Sequence, residues 1–267
     1  MEKQEAIKKW EKLEIKNDFL FAKVMQDKNI CRMLLEKLLH TKIRDIVYLE
    51  EQKTVDIQKD AKSVRLDVYV EGDNRVFDLE MQTTSNKNLP RRSRYYQSII
   101  DLNALEKGTN YKELKESYVI FICTFDPFHQ EKAQYTFENL CIEDMDLKLN
   151  DGAKKIFFNT NGYRNAEDED IREFLKYVNG EESDNPFVKE LKTKVAQVKA
   201  NKKWRLEYVT LLMREEEIIE ETWEEARKEG IKKMVSVLKD LNISPQIILT
   251  KLQEEYGLSL ETSKEYL

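Results

Sequence analysis

Residues Val64–Gln82, VRLDVYVEGDNRVFDLEMQ, hold two alternating segments around a Gly-Asp-Asn turn and read as a β-hairpin. Val64, Leu66, Val68 and Val70 share one face of the first segment, which leaves Arg65, Asp67 and Tyr69 on the other. In the second, Phe77, Leu79 and Met81 share a face opposite Asp78, Glu80 and Gln82. An Asp73-Asn74 loop, or a four-residue Gly72–Arg75 loop, sets Asp67 directly across from Glu80, with Cβ atoms roughly 4.5–5.5 Å apart. A Gly72-Asp73 loop moves Glu80 to the diagonal on the same face. Carboxylates this close repel one another unless they are well solvated or hold a divalent cation.

Upstream, Ile7, Trp10 and Leu13 are spaced for one helical stripe, and Asn17 or Asp18 is an N-cap for a helix carrying Phe19, Leu20, Ala22, Val24 and Met25. Another helix starts at Asn29, and a short β-rich run covers Ile43–Leu49. Downstream, Pro90 sits where a first helical residue belongs, in a helix reaching about Glu106 and stopped by Gly108. YVIFICTF at Tyr118–Phe125 is uncharged and rich in β-branched and aromatic types, as a buried central strand requires. Leu147–Leu149 and Lys155–Thr160 flank Asp151-Gly152, a hairpin signal. Helices, three strands, a helix and a buried strand, in that order, predict an α/β (α+β) fold with a mixed sheet under helices.

The 267 residues are 40% hydrophobic and 36% charged with 26 aromatics, which is enough to bury a core. The net charge of −6 is confined to Ala166–Glu190, with nine acidic and three basic residues, so local basic patches elsewhere are compatible with a nucleic-acid partner. The opening MEKQEAIKKW has no apolar leader core, and no run approaches the ~18 apolar residues of a membrane span, so a soluble, cytoplasmic protein is expected. Three scattered cysteines and two histidines argue against a disulfide frame, a zinc site or a histidine triad. Acid–base or metal chemistry then rests on Asp, Glu, Lys, Gln or Tyr.

From Ala166 the chain turns into charged helices. Ile171, Phe174, Leu175 and Val178 form one stripe, and Val188, Leu191, Val195 and Val198 another. The EEEIIEETWEEARKEG helix either meets a partner or folds back on its own domain. Ser244-Pro245 opens a further helix and Gly257 stops it. Lys251 is the only base between Pro245 and Leu260, so a DNA-reading helix-turn-helix there lacks its usual phosphate contacts.

Asp67, Glu80 and Gln82 put three polar side chains on one sheet face, and an antiparallel hairpin with one wet face would need no further explanation. Yet Asp is poorly suited to strand interiors, and PRRSRYYQS follows within ten residues. Arg91, Arg92 and Arg94 in a helix's first turns oppose its dipole and call for a nearby anion, either the hairpin carboxylates or a phosphate backbone. Arg92 and Tyr96, four apart, share a stripe that faces the carboxylates, while Tyr95, Ile99 and Leu102 are spaced for the core.

Asp67 followed by Glu80-Met81-Gln82 resembles the signature of the PD-(D/E)XK nuclease superfamily. NDFLF at Asn17–Phe21, RLDVYV, DLEMQ, RRSRYYQS, Gly108–Tyr111 and YVIFI, in that order, resemble more specifically the recombination-promoting nuclease, or putative transposase, family. The resemblance covers roughly residues 16–165 and implies a restriction-endonuclease-like αβββαβ core, in a domain at residues 1–165; the helical stripes then place a charged helical region at 166–240 and a small helical segment at 241–267. It implies that Asp67, Glu80 and the Met81 carbonyl hold Mg²⁺ or another divalent cation, with Asp67, Glu80 and Gln82 catalytic, for hydrolysis of DNA phosphodiesters. Arg92, Arg94, Tyr96, Gln97 and Asp18 would line the site or bind DNA. A homodimer would cut both strands of a duplex. The superfamily's usual lysine is replaced by Gln82, a neutral amide. Lys62 or Arg92 is the candidate to supply the missing charge. The alternative is a catalytically inactive nuclease fold serving as a nucleic-acid-binding or protein-interaction module.

Overall fold

A computed structural model describes residues 3–55, 64–85, 87–105 and 108–267, with backbone alone at 48–55 and 64–65. The hairpin consists of β2 (Val64–Gly72) and β3 (Arg75–Gln82), in register Gly72↔Arg75, Val70↔Phe77 and Val68↔Leu79. Asp73 and Asn74 form its loop with φ of 50° and 59°, the paired positive values that a type I′ turn demands and that Asp and Asn tolerate. One further step of this register sets Asp67 across from Glu80.

The turn is anchored from outside. Asp73 Oδ2 accepts from the Arg44 backbone N–H at 2.7 Å and from the Arg75 guanidinium at 3.4 Å. A Cβ on Gly72 would lie 2.5 Å from the Asp45 carbonyl oxygen, so the strand passes that backbone only as glycine. Gly72→Ala is expected to lower stability by about 1–3 kcal/mol through this clash. Urea unfolding measures it, and an unchanged midpoint would contradict the close approach.

β1 (Tyr48–Val55) pairs antiparallel with β2, while β4 (Glu116–Cys123) runs parallel to β3 and β6 (Ala153–Asn159) parallel to β4. β5 (Gln134–Phe137) closes the sheet antiparallel to β6, giving the six-strand order β1-β2-β3-β4-β6-β5. This is the mixed α+β architecture expected from the element order. The hairpin expected around Asp151-Gly152 is not there. Lys155–Asn159 lies in β6, but its antiparallel partner is β5, and 147–149 carries only the isolated bridge Leu140↔Lys148. Gly152 does take a positive φ of 75°, but its carbonyl accepts from Ser117 N–H as the chain enters β6 beside β4.

Helix α1 (Lys3–Glu11) is followed by α2 (Asp18–Met25), with Asn17 Oδ1 capping Leu20 N–H at 3.0 Å, and by α3 (Lys28–Leu39), capped by Asp27. α4 (Leu89–Ala104), with Pro90 in its first turn, crosses from β3 to β4. It covers the sheet face carrying Val76, Asp78, Glu80, Val119 and Phe121, through Leu89, Tyr96, Ile99 and Ile100. α2 packs on β1, β2 and β3, and the alternate side chains Phe77, Leu79 and Met81 are buried as well. α5 (Glu169–Val178) and α6 (Pro186–Ala200) pack against α2 and α3.

The expected core stripe of α4 needs correction. Tyr95 and Leu102 are exposed, and only Ile99 of that trio is buried. The hairpin's acidic face is not wet either: Asp78 and Glu80 are 0% and 1% exposed, roofed by α4.

By its contacts the chain divides into Lys9–Arg205, which holds the sheet, and Met1–Lys8 with Leu206–Leu267. The second unit carries most of α7 (Lys202–Asp240), α8 (Pro245–Tyr256) and α9 (Leu260–Lys264), and packs Ile231 and Val235 against Ile248 and Leu252. α8 opens on Ser244-Pro245, though the serine hydroxyl caps nothing, and ends at Gly257 with φ 63°. Among the described residues no helix is long and apolar enough to cross a membrane.

Candidate active site

The β2–β3 ladder ends at Val68↔Leu79, and beyond it side chains take over from the backbone. Asp67 N–H donates to Glu80 Oε1 at 2.9 Å, and Met81 N–H donates to Asp67 Oδ2 at 3.0 Å. Each carboxylate thus bonds the main chain of the opposite strand. An extended residue sends its N–H and C=O to the same edge, so the Met81 carbonyl also faces the gap beside Asp67.

The anion that the arginine-rich helix start called for is Glu80. Arg92 Nη2 donates to Glu80 Oε2 at 2.7 Å, Nη1 to Gln82 Oε1 at 2.7 Å, and Nε to the Tyr96 hydroxyl at 2.6 Å. Its guanidinium also lies over the rings of Tyr96 and Phe121, with centroids at 4.8 and 5.6 Å. Such a planar cation, forked and stacked, is a role lysine does not fill. The Arg92 side chain is 32% exposed and opens into a cleft of about 540 Å³ lined by Asp67, Met81, Gln82 and Asp18.

The fold therefore brings together Asp67, Glu80, Met81, Gln82, Arg92 and Tyr96, with Asp18 across the cleft. Gln97 and Arg94 lie elsewhere. The Gln97 amide donates to Ser117 and, at 3.3 Å, to Asp101, while Arg94 is exposed. Lys62 falls outside the described residues. Sequence reasoning missed Lys12 and Lys16, which line the cleft from the segment between α1 and α2. Their signal was the basic run KKWEKLEIK just ahead of NDFLF. The Gln82 amide is engaged at both ends, since its Nε2 donates to Thr84 O at 2.7 Å and its Oε1 accepts from Arg92.

Asp78, two residues before Glu80 on the same face, was also missed as part of the site's electrostatics. Burial first, then the Asp67 charge, push its carboxyl well above the usual range. Burial, then Asp78 and Asp67, push Glu80 up too, against the pull of Arg92. Arg92 sits on Glu80, whereas the geometry gives neither buried Asp78 oxygen a hydrogen-bond donor, so burial bears hardest on a charge at Asp78. Burial, then the Glu80 charge, raise the Tyr96 phenol and keep it neutral. Burial works against the Arg92 charge, but Glu80 and Tyr96 prevail and raise its pKa.

Unfolded, Asp78 ionises near its ordinary 3.8, and folded it keeps its proton to higher pH. The folded state then binds more protons, so this group's contribution is fully present below about pH 4 and is lost as pH rises toward the folded pKa. Asp78→Asn is expected to be more stable than wild type at pH 7 without divalent ions, with the difference shrinking to nothing below about pH 4. Urea unfolding across that range tests it, and an equal or lower stability at pH 7 would contradict the assignment.

No curated protein and no solved structure matches the chain. The model of the PD-(D/E)XK nuclease family transposases does match, over residues 15–248, a span that takes in the hairpin, α4 and most of the helices after the sheet. The chain belongs to that family of PD-(D/E)XK nucleases and transposases.

Proposed function

We propose that the protein is a divalent-metal-dependent endodeoxyribonuclease that hydrolyses DNA phosphodiesters in recombination, mobile-element movement or defence. The observation that carries this reading is the meeting of Asp67 and Glu80 across the parted end of the β2–β3 hairpin, at a cleft whose other walls supply Arg92, Lys12 and Lys16.

The donor set suits a hard cation. Two carboxylates and a main-chain carbonyl are what Mg²⁺ takes from a protein while keeping several waters. Among the described residues no group of three or more His, Cys, Asp or Glu is placed to hold a metal ion. Asp67, Glu80 and the Met81 carbonyl would hold the ion, which supplies an activated water and offsets the charge that develops on the scissile phosphate.

The chain's own residues do the rest. Gln82 fixes Arg92 through Oε1 and is itself fixed to Thr84 O, so the positive charge absent from its own side chain is delivered by the helix opposite. Lys12 and Lys16 at the cleft attract and orient the phosphate backbone. Because one subunit offers one such site, cutting both strands of a duplex would use two copies, and a homodimer is part of this proposal.

Plasmid cleavage with Mg²⁺, with Mn²⁺ and with EDTA tests the reading: nicking or linearisation that depends on the ion is expected. DNA binding without turnover under any divalent ion would instead favour a catalytically silent binding module. That outcome has its own supporting observation, since both Glu80 oxygens already have partners.

A further inference from the structure

We propose that Arg92 is the resident counter-cation of this site, which holds Glu80 while no metal is bound and must release it for a divalent ion to enter. This rests on the metal-dependent reading above. Glu80 has two oxygens: Oε1 accepts from Asp67 N–H at 2.9 Å and Oε2 accepts from Arg92 Nη2 at 2.7 Å. An incoming cation therefore meets a donor already seated on each oxygen of this ligand. Of the two bonds, the one to Arg92 pairs charges, and a cation of higher charge replaces it in kind.

The release leaves Arg92 in place. Only one of its three acceptors is the carboxylate, while the Tyr96 hydroxyl and Gln82 Oε1 are neutral and are not ligands. Two ring faces, Tyr96 and Phe121, support the guanidinium plane. The freed Nη2 then faces the cleft that the side chain lines, where it is open to an entering anion. A phosphodiester is an anion of the right kind, since an arginine fork matches its oxygens. Metal entry thus converts Arg92 from a ligand's partner into a substrate-binding group. It also explains how a chain with Gln82 at the lysine position brings a positive charge to the reacting phosphate.

Charge balance points the same way. Asp67, Asp78 and Glu80 all act on one another, and Arg92 is bonded to Glu80. Exchanging one guanidinium contact for a divalent ion brings this group nearer neutrality, and the displaced charge goes to the phosphate.

The test is Mn²⁺ affinity of the full chain, by calorimetry and by the electron spin resonance of free Mn²⁺, for wild type, Arg92→Met, Arg92→Lys and Asp67→Asn, each first shown to be folded by its melting curve. With the competing charged hydrogen bond gone, Arg92→Met is expected to bind Mn²⁺ at least about tenfold more tightly than wild type. Its cleavage of DNA at saturating Mn²⁺ should fall. Arg92→Lys, which keeps the charge but cannot fork between Glu80 and Gln82, should lie between the two in affinity. Asp67→Asn should bind weakly. Equal or weaker Mn²⁺ binding by Arg92→Met, with Asp67→Asn still impaired, would overturn the counter-cation role and leave the metal site standing. Absence of saturable binding in both wild type and Arg92→Met would overturn the metal reading and this proposal with it.

Discussion

Asp67→Asn is expected to reduce metal-dependent DNA cleavage by at least about 10²–10³-fold, the loss that follows removal of one group stabilising developing charge. Its fold should survive. Asn presents an amide oxygen where Asp67 Oδ2 now accepts from Met81 N–H, so the backbone contact across the parted strands is kept. What is lost is the negative charge at the cleft floor. Plasmid nicking under saturating Mg²⁺, set beside the melting curve of the same sample, separates the two effects. Cleavage within a few-fold of wild type would remove Asp67 from the chemistry.

Glu80→Ala should behave differently, as a stability variant as much as an activity variant. Glu80 is 1% exposed and pairs with an arginine that is itself two-thirds covered. Truncation strands Arg92 without its anion and leaves Asp67 N–H without an acceptor. Breaking a buried pair from one side costs about 3–5 kcal/mol, and the partial exposure of Arg92 places the expected loss near the lower end, about 3 kcal/mol. Glu80→Gln, which keeps the side-chain length and one of the two acceptor oxygens, should lose less. Adding Arg92→Met to Glu80→Ala should recover part of the loss, because the stranded charge is gone. Denaturant unfolding of these proteins, with Arg92→Met alone to close the cycle, checks this. A Glu80→Ala protein as stable as wild type would contradict the pairing.

Much of this was legible in the chain. The Gly-Asp-Asn turn between alternating segments gave the hairpin, and the positive φ of Asp73 and Asn74 selects, among the loops the residues allow, the one that puts Asp67 across from Glu80. The three arginines at the start of α4 asked for an anion, and Arg92 found one. Less was legible where two stripes competed. α4 has Tyr95, Ile99 and Leu102 on one line and Leu89, Ser93, Tyr96 and Ile100 on another, and the second is buried although it carries a serine and a phenol. Apolar periodicity favours the first because it cannot foresee that the face below contains Glu80 and rewards polar side chains. β5 offered only QYTF, too short for a period, so Asp151-Gly152 drew the hairpin to the wrong partner. Burial of Asp78 was illegible for a related reason: alternation assigns a face but not whether a helix roofs it.

The crossed bonds at the end of the hairpin bear on how such chains age in evolution. Asp67 and Glu80 each accept a main-chain N–H from the opposite strand, so they close a ladder as well as face a cleft. Folding alone rewards an oxygen acceptor of that reach at both positions, even in a copy that has ceased to cut. Mutational decay of activity would therefore register first at Gln82 and Arg92, whose mutual bond is no part of the strand pairing, and at Lys12 and Lys16, which line the cleft. Among related chains, the state of those four positions is the better gauge of a working nuclease than the survival of its two acids.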